Sequence, residues 1–257
     1  MLDTFLFIAP PLFIYIGIGF FLSVLWSRND IADVMWGPGI FLCAILSVLT
    51  HEHMSTQHSV ALVLVGIWAL RIFLHIGTRF WYKHNEDPRY ALWRSTWSWV
   101  YTRSFLQVFL LQGFLMAVMA SIFLLETPSE PSVSILFGIA LALFGLFYEA
   151  IGDYQLREFI NEQQKLGAKG GLMTSGLWAT TRHPNYFGEV TFWWGIFSIF
   201  LADVFFTQNI LFFLTPLLIT FLILKVSGIP LLEKQYEGRA DWEAYKAKTP
   251  AFFPRWW

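Results

Sequence analysis

Apolar runs of membrane-crossing length recur along this chain, and that recurrence limits the fold more than any motif does. A run of about 18 residues is long enough to cross the ~30 Å hydrocarbon core of a bilayer. Hydrocarbon offers no partners for backbone N–H and C=O groups, so such runs must be helical. We count seven apolar segments, at approximately 4–26, 37–50, 58–82, 101–125, 133–155, 186–203 and 208–228. The chain is 56% hydrophobic and only 14% charged, against about a quarter charged in soluble domains. The expected fold is all-α: a polytopic integral membrane protein with seven transmembrane helices. No internal repeat or low-complexity linker interrupts residues 1–257, which read as a single membrane-embedded domain. The first segment does not read as a cleavable signal, because Asp3 is the only charge before it and no small-residue cleavage site follows Trp26. The single cysteine, Cys43, excludes an internal disulfide and reads as packing.

Orientation follows from where the basic residues fall. Sixteen of the seventeen Lys and Arg residues lie after segments one, three, five and seven, or at their ends. The exception, Arg71, is inside segment three, and the loops after segments two, four and six have no Lys or Arg. This alternation predicts an N-terminus outside and a C-terminus in the cytoplasm.

The densest polar chemistry is at residues 176–189, where Arg182, His183, Asn185, Tyr186 and Glu189 fall close together between two apolar segments. Pro184 keeps His183 out of the helical region, so a turn precedes a helix that starts near Asn185. Helix N-termini bind anions through free N–H donors, and a neighbouring Arg supplies a planar fork for phosphate. These residues point to a phosphorylated cofactor.

Ionisable groups inside membrane segments normally face a cavity or a partner. Arg71, His75 and Arg79 recur at i, i+4 and i+8, as do Glu149, Asp153 and Arg157, which places each set along one helix face. Arg103, Gln107 and Gln112 add a polar stripe in segment four. The stripes describe a cavity open to the cytoplasm. Plainer readings stand beside this one. Asp153 and Arg157 also suit a surface i,i+4 pair, His75 suits packing, and Arg79 and Lys83 suit snorkelling to the interface. Asp33 precedes Gly37-Pro38-Gly39, which suggests a broken entrance to segment two, or else an N-cap. The His-rich residues 51–58 match no helical metal spacing and read as a wet outer loop. The tail from Glu233 to Trp257 is charged and amphipathic, suited to folding back over the cytoplasmic side or to lying on head groups.

Gly176-Leu177-Trp178 with Thr181-Arg182-His183-Pro184-Asn185-Tyr186-Phe187-Gly188-Glu189 resembles the C-terminal signature of the steroid 5-alpha-reductase family and its bacterial homologues. Asp153-Tyr154-Gln155-Leu156-Arg157, Leu232-Glu233 and Tyr245 extend the resemblance, and the Asp33/Trp36-Gly37 and Glu86–Tyr90 stretches resemble the bacterial branch. The resemblance is strongest from about 149 to 257. It implies a seven-helix membrane enzyme that uses NADPH to reduce the 4,5 double bond of a 3-oxo-4-ene steroid. Carried over by position, it makes Asp153, Arg157, Asn185 and Glu189 cofactor-binding, with Arg182, His183 and Tyr186 of the same signature. Arg89, Glu149, Lys169, Trp178 and Tyr245 complete the expected cofactor set. The Gln-Glu pair of human-type enzymes has no counterpart here, and Asp33 occupies that neighbourhood. Membrane methyltransferases that bind S-adenosylmethionine share the Arg-His-Pro-x-Tyr-x-Gly stretch, but carry adjacent glutamates where this chain has Leu232-Glu233-Lys234.

The expected activity is therefore NADPH-dependent reduction of a hydrophobic enone, steroid-like or isoprenoid, that enters from lipid. Asp33, Arg71 and His75 are the candidate catalytic residues, polarising the carbonyl or stabilising enolate charge. No metal and no nucleic acid are expected, and a bacterial inner membrane is favoured over an endoplasmic reticulum.

Overall fold

The computed structural model describes residues 2–83, 85–127, 133–168 and 170–255, and no strand occurs among them. Four helices come first: α1 (Leu2–Trp26), α2 (Ile31–Val48), α3 (Thr56–Tyr82) and α4 (Pro88–Thr96). The next apolar stretch, Val100–Leu124, is a composite of α5 (Val100–Arg103), a π-helical turn (Ser104–Leu110), α6 (Leu111–Ala120) and a 3-10 turn (Ser121–Leu124). Then come α7 (Ser134–Lys165), α8 (Pro184–Ile199) and α9 (Leu201–Thr207). The stretch Ile210–Tyr236 holds α10 (Leu214–Phe221), a second π-helical turn (Leu222–Val226) and α11 (Ile229–Glu233), and α12 (Ala240–Lys248) follows.

Six helices among the described residues are long and apolar enough to cross a membrane: Leu6–Trp26, Ile31–Val48, Thr56–Tyr82, Val100–Leu124, Ser134–Lys165 and Ile210–Tyr236. This is the composition of an integral membrane protein. The segment expected at 186–203 is instead the 16-residue α8, which stops at Ile199. At 1.5 Å per residue α8 is about 24 Å long.

Two other expectations change. α2 starts at Ile31 and runs unbroken through Gly37-Pro38-Gly39, so the entrance to the second segment is a regular helix. Pro38 sits eight residues inside it, and the flanking glycines allow close packing. A Cβ on Gly37 would lie 3.1 Å from the Ala69 carbonyl of α3. Asp33 is in the first turn of α2, and Asp30 holds the N-cap position. In the region read as an outer loop, α3 already begins at Thr56, where the Ser55 hydroxyl caps it by accepting from His58 N at 3.2 Å. Gln57 and His58 are buried, and the His58 ring pairs with the Ser55 hydroxyl at 2.9 Å. The His58 ring can be buried here because the Ser55 hydroxyl that caps the helix also gives it a local partner.

The chain divides into two compact units, Met1–Ser132 with Ala202–Thr215, and Val133–Leu201 with Pro216–Trp257. In the first unit, α2 is central and packs against α1, α3 and α6. Ile40, Cys43 and Ala44 of α2, Ala61, Val65 and Trp68 of α3, and Met116 and Met119 of α6 are all buried. Cys43 is a free thiol within this core.

The second unit is built on the pairing of α7 with α8. The contacts join Gly138 to Ile199, Ala142 to Gly195, Gly145 to Phe192, Glu149 to Gly188 and Gly152 to Asn185. The steps alternate between three and four residues along both helices, and the order reverses, so the helices run antiparallel along a seam rich in small residues. Lipid tails are as apolar as leucine, so close backbone packing rather than water exclusion holds such a pair. A Cβ on Gly145 would lie 2.6 Å from the Gly188 carbonyl, and one on Gly195 would lie 2.6 Å from the Ala142 Cα.

Gly145→Leu should force this seam apart and destabilise the protein by at least about 2 kcal/mol. Gly17→Ala, at a position with nothing within 4 Å of a new Cβ, should leave stability unchanged or raise it by under ~1 kcal/mol. Thermal unfolding of both variants in detergent tests this, and equal melting temperatures would contradict the seam.

Candidate functional site

The second unit gathers most of the expected cofactor set at one end of the α7–α8 pair. The α7 turn with Glu149 and Asp153 lies against the first turns of α8, because Gly188 meets the backbone at Glu149 and Gly152 meets the Asn185 N–H. Glu149 and Asp153 are buried, while Asn185, Tyr186 and Glu189 are half-buried. α8 begins as the sequence demands, with Pro184 in its first turn and His183 outside the helical region.

The turn before α8 is fixed to α7 by side chains that reach its backbone. Trp178 Nε1 donates to the Gly152 carbonyl at 3.0 Å, and Leu177 N donates to Gln155 Oε1 at 2.9 Å. The hydroxyls of Tyr148 and Thr180 meet at 3.2 Å. From the other side comes the tail, which folds back onto this turn. Arg182 N donates to the Pro250 carbonyl at 2.9 Å, and Arg255 N donates to the Thr180 carbonyl at 2.9 Å. Thr181 Oγ1 donates to the carbonyls of Ala251 and Phe252. Tyr245 Oη donates to the Trp178 carbonyl, and burial pushes its phenol pKa up, so the proton that makes this bond is retained.

Arg182 and His183 share one carboxylate oxygen. Arg182 Nε donates to Glu233 Oε1 at 2.9 Å, its Nη2 forms an ion pair with the same oxygen at 2.8 Å, and His183 Nε2 lies 3.0 Å from that atom. Arg182 Nη1 donates to the Thr249 carbonyl at 2.6 Å, and the guanidinium lies over the Trp242 ring. The Arg182 side chain is only 7% exposed. The guanidinium expected to face phosphate is thus held by Glu233 and by the tail. Tyr186 stacks on His183 with ring centroids 5.6 Å apart. Arg157 is exposed, with its guanidinium over Tyr154. Lys169 lies outside the described residues.

The first unit holds a separate network around Asp33. Tyr90 Oη donates to Asp33 Oδ1 at 2.6 Å, and Arg89 Nη2 donates to Asp33 Oδ2 at 3.0 Å. Arg89 Nε also donates to Asp87 Oδ1 at 2.9 Å, so the guanidinium assigned to the cofactor is engaged by two carboxylates. Burial raises the Tyr90 phenol well above its usual pKa, and the Asp33 charge raises it further, so Tyr90 remains a hydrogen-bond donor. Burial also pushes Asp87 up, but hydrogen bonds and charge from Arg89 outweigh that and hold its carboxyl below the usual range. The network is anchored by Arg28 on Asp30 and by Arg94 on Glu86. Arg71 and His75 are half-buried on α3, beside Ile72 and Gly77, which pack on α2.

Tyr90 and Glu233 are the two site groups absent from the expected set. Tyr90 follows Arg89 in the first turn of α4, after a stretch rich in charge, and Glu233 ends α11 just after the last apolar segment, where an acid suggests a buried partner. Among the described residues, no group of three or more His, Cys, Asp or Glu is placed to hold a metal ion.

Glu233→Ala should leave the buried Arg182 charge uncompensated and destabilise the protein by about 3 kcal/mol. Unfolding measured with and without the substitution checks this, and an unchanged midpoint would mean the ion pair contributes nothing. Asp87 has a depressed pKa, so its contribution is present above the unfolded value and is lost as pH falls through the folded one. Wild-type stability should therefore drop below about pH 4, and Asp87→Asn should flatten that acid limb of the profile.

Comparison with curated proteins and with solved structures returns no match. A protein family does match, over residues 19–249, and its description is "Protein of unknown function (DUF1295)". The match covers most of the chain, from α1 through α12, and this protein is a member of the DUF1295 family.

Proposed function

We propose that this protein is an NADPH-dependent membrane reductase acting on the C=C bond of a hydrophobic enone, such as a 3-oxo-4-ene steroid. The observation that carries the reading is the convergence of the signature residues at the start of α8. There Asn185, Tyr186 and Glu189 stand half-buried against the α7 turn with Glu149 and Asp153. An amide, a phenol and carboxylates suit the hydroxyl and amide groups of a dinucleotide, and the exposed Arg157 suits a phosphate. The chain's residues therefore fit the cofactor. NADPH supplies hydride, and the protein supplies orientation and electrostatics. Asn185, Glu189, Asp153 and Arg157 bind and orient it, and Trp178 and Tyr245 hold the turn on which they depend.

The ionisable candidates for polarising an enone carbonyl are Arg71, His75 and Asp33, the last only in its protonated form, because the carboxylate that accepts from Arg89 and Tyr90 has no hydrogen to donate. Tyr90 and Arg89 fix the Asp33 carboxyl in place. We further propose seven membrane crossings, with α8 as the additional one. The N-terminus is then outside, and the C-terminus and cofactor site face the cytoplasm of a bacterial inner membrane. The alternation of Lys and Arg supports this orientation.

A second reading, a methyltransferase using S-adenosylmethionine, draws on one contact. Glu233 reaches Arg182 and His183, and the related methyltransferases pair this Arg-His-Pro stretch with a glutamate-rich C-terminal helix. Binding of NADPH, NADH and S-adenosylmethionine to the detergent-purified protein separates the two. NADPH should bind in the micromolar range or tighter, and Asn185→Ala and Glu189→Ala should each abolish that binding while the proteins stay folded. Preferential binding of S-adenosylmethionine would replace the reductase reading with the second one.

A further inference from the structure

We infer that Glu233 is a positioning residue that sets the tautomer of His183, so that this ring meets the cofactor as a hydrogen-bond acceptor. The inference rests on the reductase reading for the identity of the ligand, but not for the state of the ring.

A carboxylate oxygen has lone pairs and no hydrogen, and Glu233 Oε1 already accepts from Arg182 Nε at 2.9 Å and forms an ion pair with Nη2 at 2.8 Å. His183 Nε2, 3.0 Å from the same oxygen, must therefore be the N–H side of the ring. In the neutral imidazole the hydrogen then resides on Nε2, and Nδ1 presents a lone pair. The ring cannot turn over freely to exchange these roles, because Tyr186 stacks on it at an interplanar angle of 17°. His183 also precedes Pro184, which restricts its backbone. The same carboxylate balances Arg182, whose remaining nitrogen donates to the Thr249 carbonyl at 2.6 Å. Arg182 thus acts on Glu233 and the tail, and not on phosphate. What the pair Arg182–Glu233 delivers to a ligand is the fixed imidazole. Its Nδ1 suits a hydroxyl or amide hydrogen of the cofactor, and the phosphates fall to exposed cations such as Arg157.

The test is 15N NMR of the ¹⁵N-histidine-labelled protein in detergent, with His183→Phe identifying the signal among the six histidines. The ligand-free protein should show His183 with Nε2 protonated and Nδ1 bare, and NADPH should shift Nδ1 most. Glu233→Ala should mix the tautomers and weaken NADPH binding roughly tenfold, the scale of one lost hydrogen bond. Glu233→Gln keeps an oxygen acceptor for His183 and should retain both the tautomer and most of the affinity. It also serves if the alanine variant does not fold. A hydrogen on Nδ1 in the ligand-free protein would overturn the inference. So would tighter NADPH binding by Glu233→Ala, which would mean that Arg182 had been freed to hold phosphate. If the wild type binds no NADPH, the reductase reading fails, and the ligand-free spectrum still decides whether Glu233 sets the ring.

Discussion

The backbone contact between α7 and α8 is the constraint on which the second unit depends. Everything at the candidate cofactor site is referenced to it. Glu149 and Asp153 come from one helix of the pair, Asn185 and Glu189 from the other, and Gly188 and Gly152 set how near the two groups stand. In a bilayer there is little gain from burying one apolar side chain against another, so helices that must stay together do so through van der Waals contact along small residues. That packing explains why the seam is occupied by Gly138, Ala142, Gly145 and Gly152 on α7 and by Gly188 and Gly195 on α8. Bulkier residues there would hold the polar groups apart.

A second layer of order comes from hydrogen bonds between distant parts of the chain. Trp178 and Gln155 tie the turn before α8 to α7. Arg182 and Thr181 tie it to the tail. Buried arginine is tolerated because a carboxylate and a carbonyl meet it directly, and such a pair is far more sensitive to the loss of one partner than to the loss of both. The first unit uses the same logic around Asp33, where Arg89 and Tyr90 supply the donors.

Much of this was legible in the sequence because membrane segments and proline-directed turns are local properties. Six of the segments appear as long apolar helices, and Pro184 opens α8 as its φ restriction requires. What the sequence concealed was mostly long-range. Gly37-Pro38-Gly39 reads locally as a break, yet α2 continues through it, with Gly37 packed closely on Ala69 of α3 and Gly39 on Met116 of α6 and Tyr15 of α1. Residues 56–58 read as loop because they are polar, yet Ser55 caps a helix there. Arg182 reads as a phosphate ligand from its neighbours at 183–189, but its partner lies about fifty positions later, at Glu233. Tyr90 was hidden for the same reason, since its partner, Asp33, is fifty-seven residues away. No local pattern reports a pairing between segments so far apart.

The fold-back of the tail has a consequence for the order in which the protein is assembled. The turn at 180–183 needs the carbonyls of residues 249–252 as acceptors. Those residues are synthesised about seventy positions after the turn itself. A ribosome-bound chain can pair α7 with α8 as soon as both have emerged, but it cannot complete the Arg182–Glu233–His183 cluster until residues 233–252 have emerged as well. The turn before α8 is therefore completed later than the α7–α8 pair, and a chain halted between the two steps is helical with its candidate site unfinished.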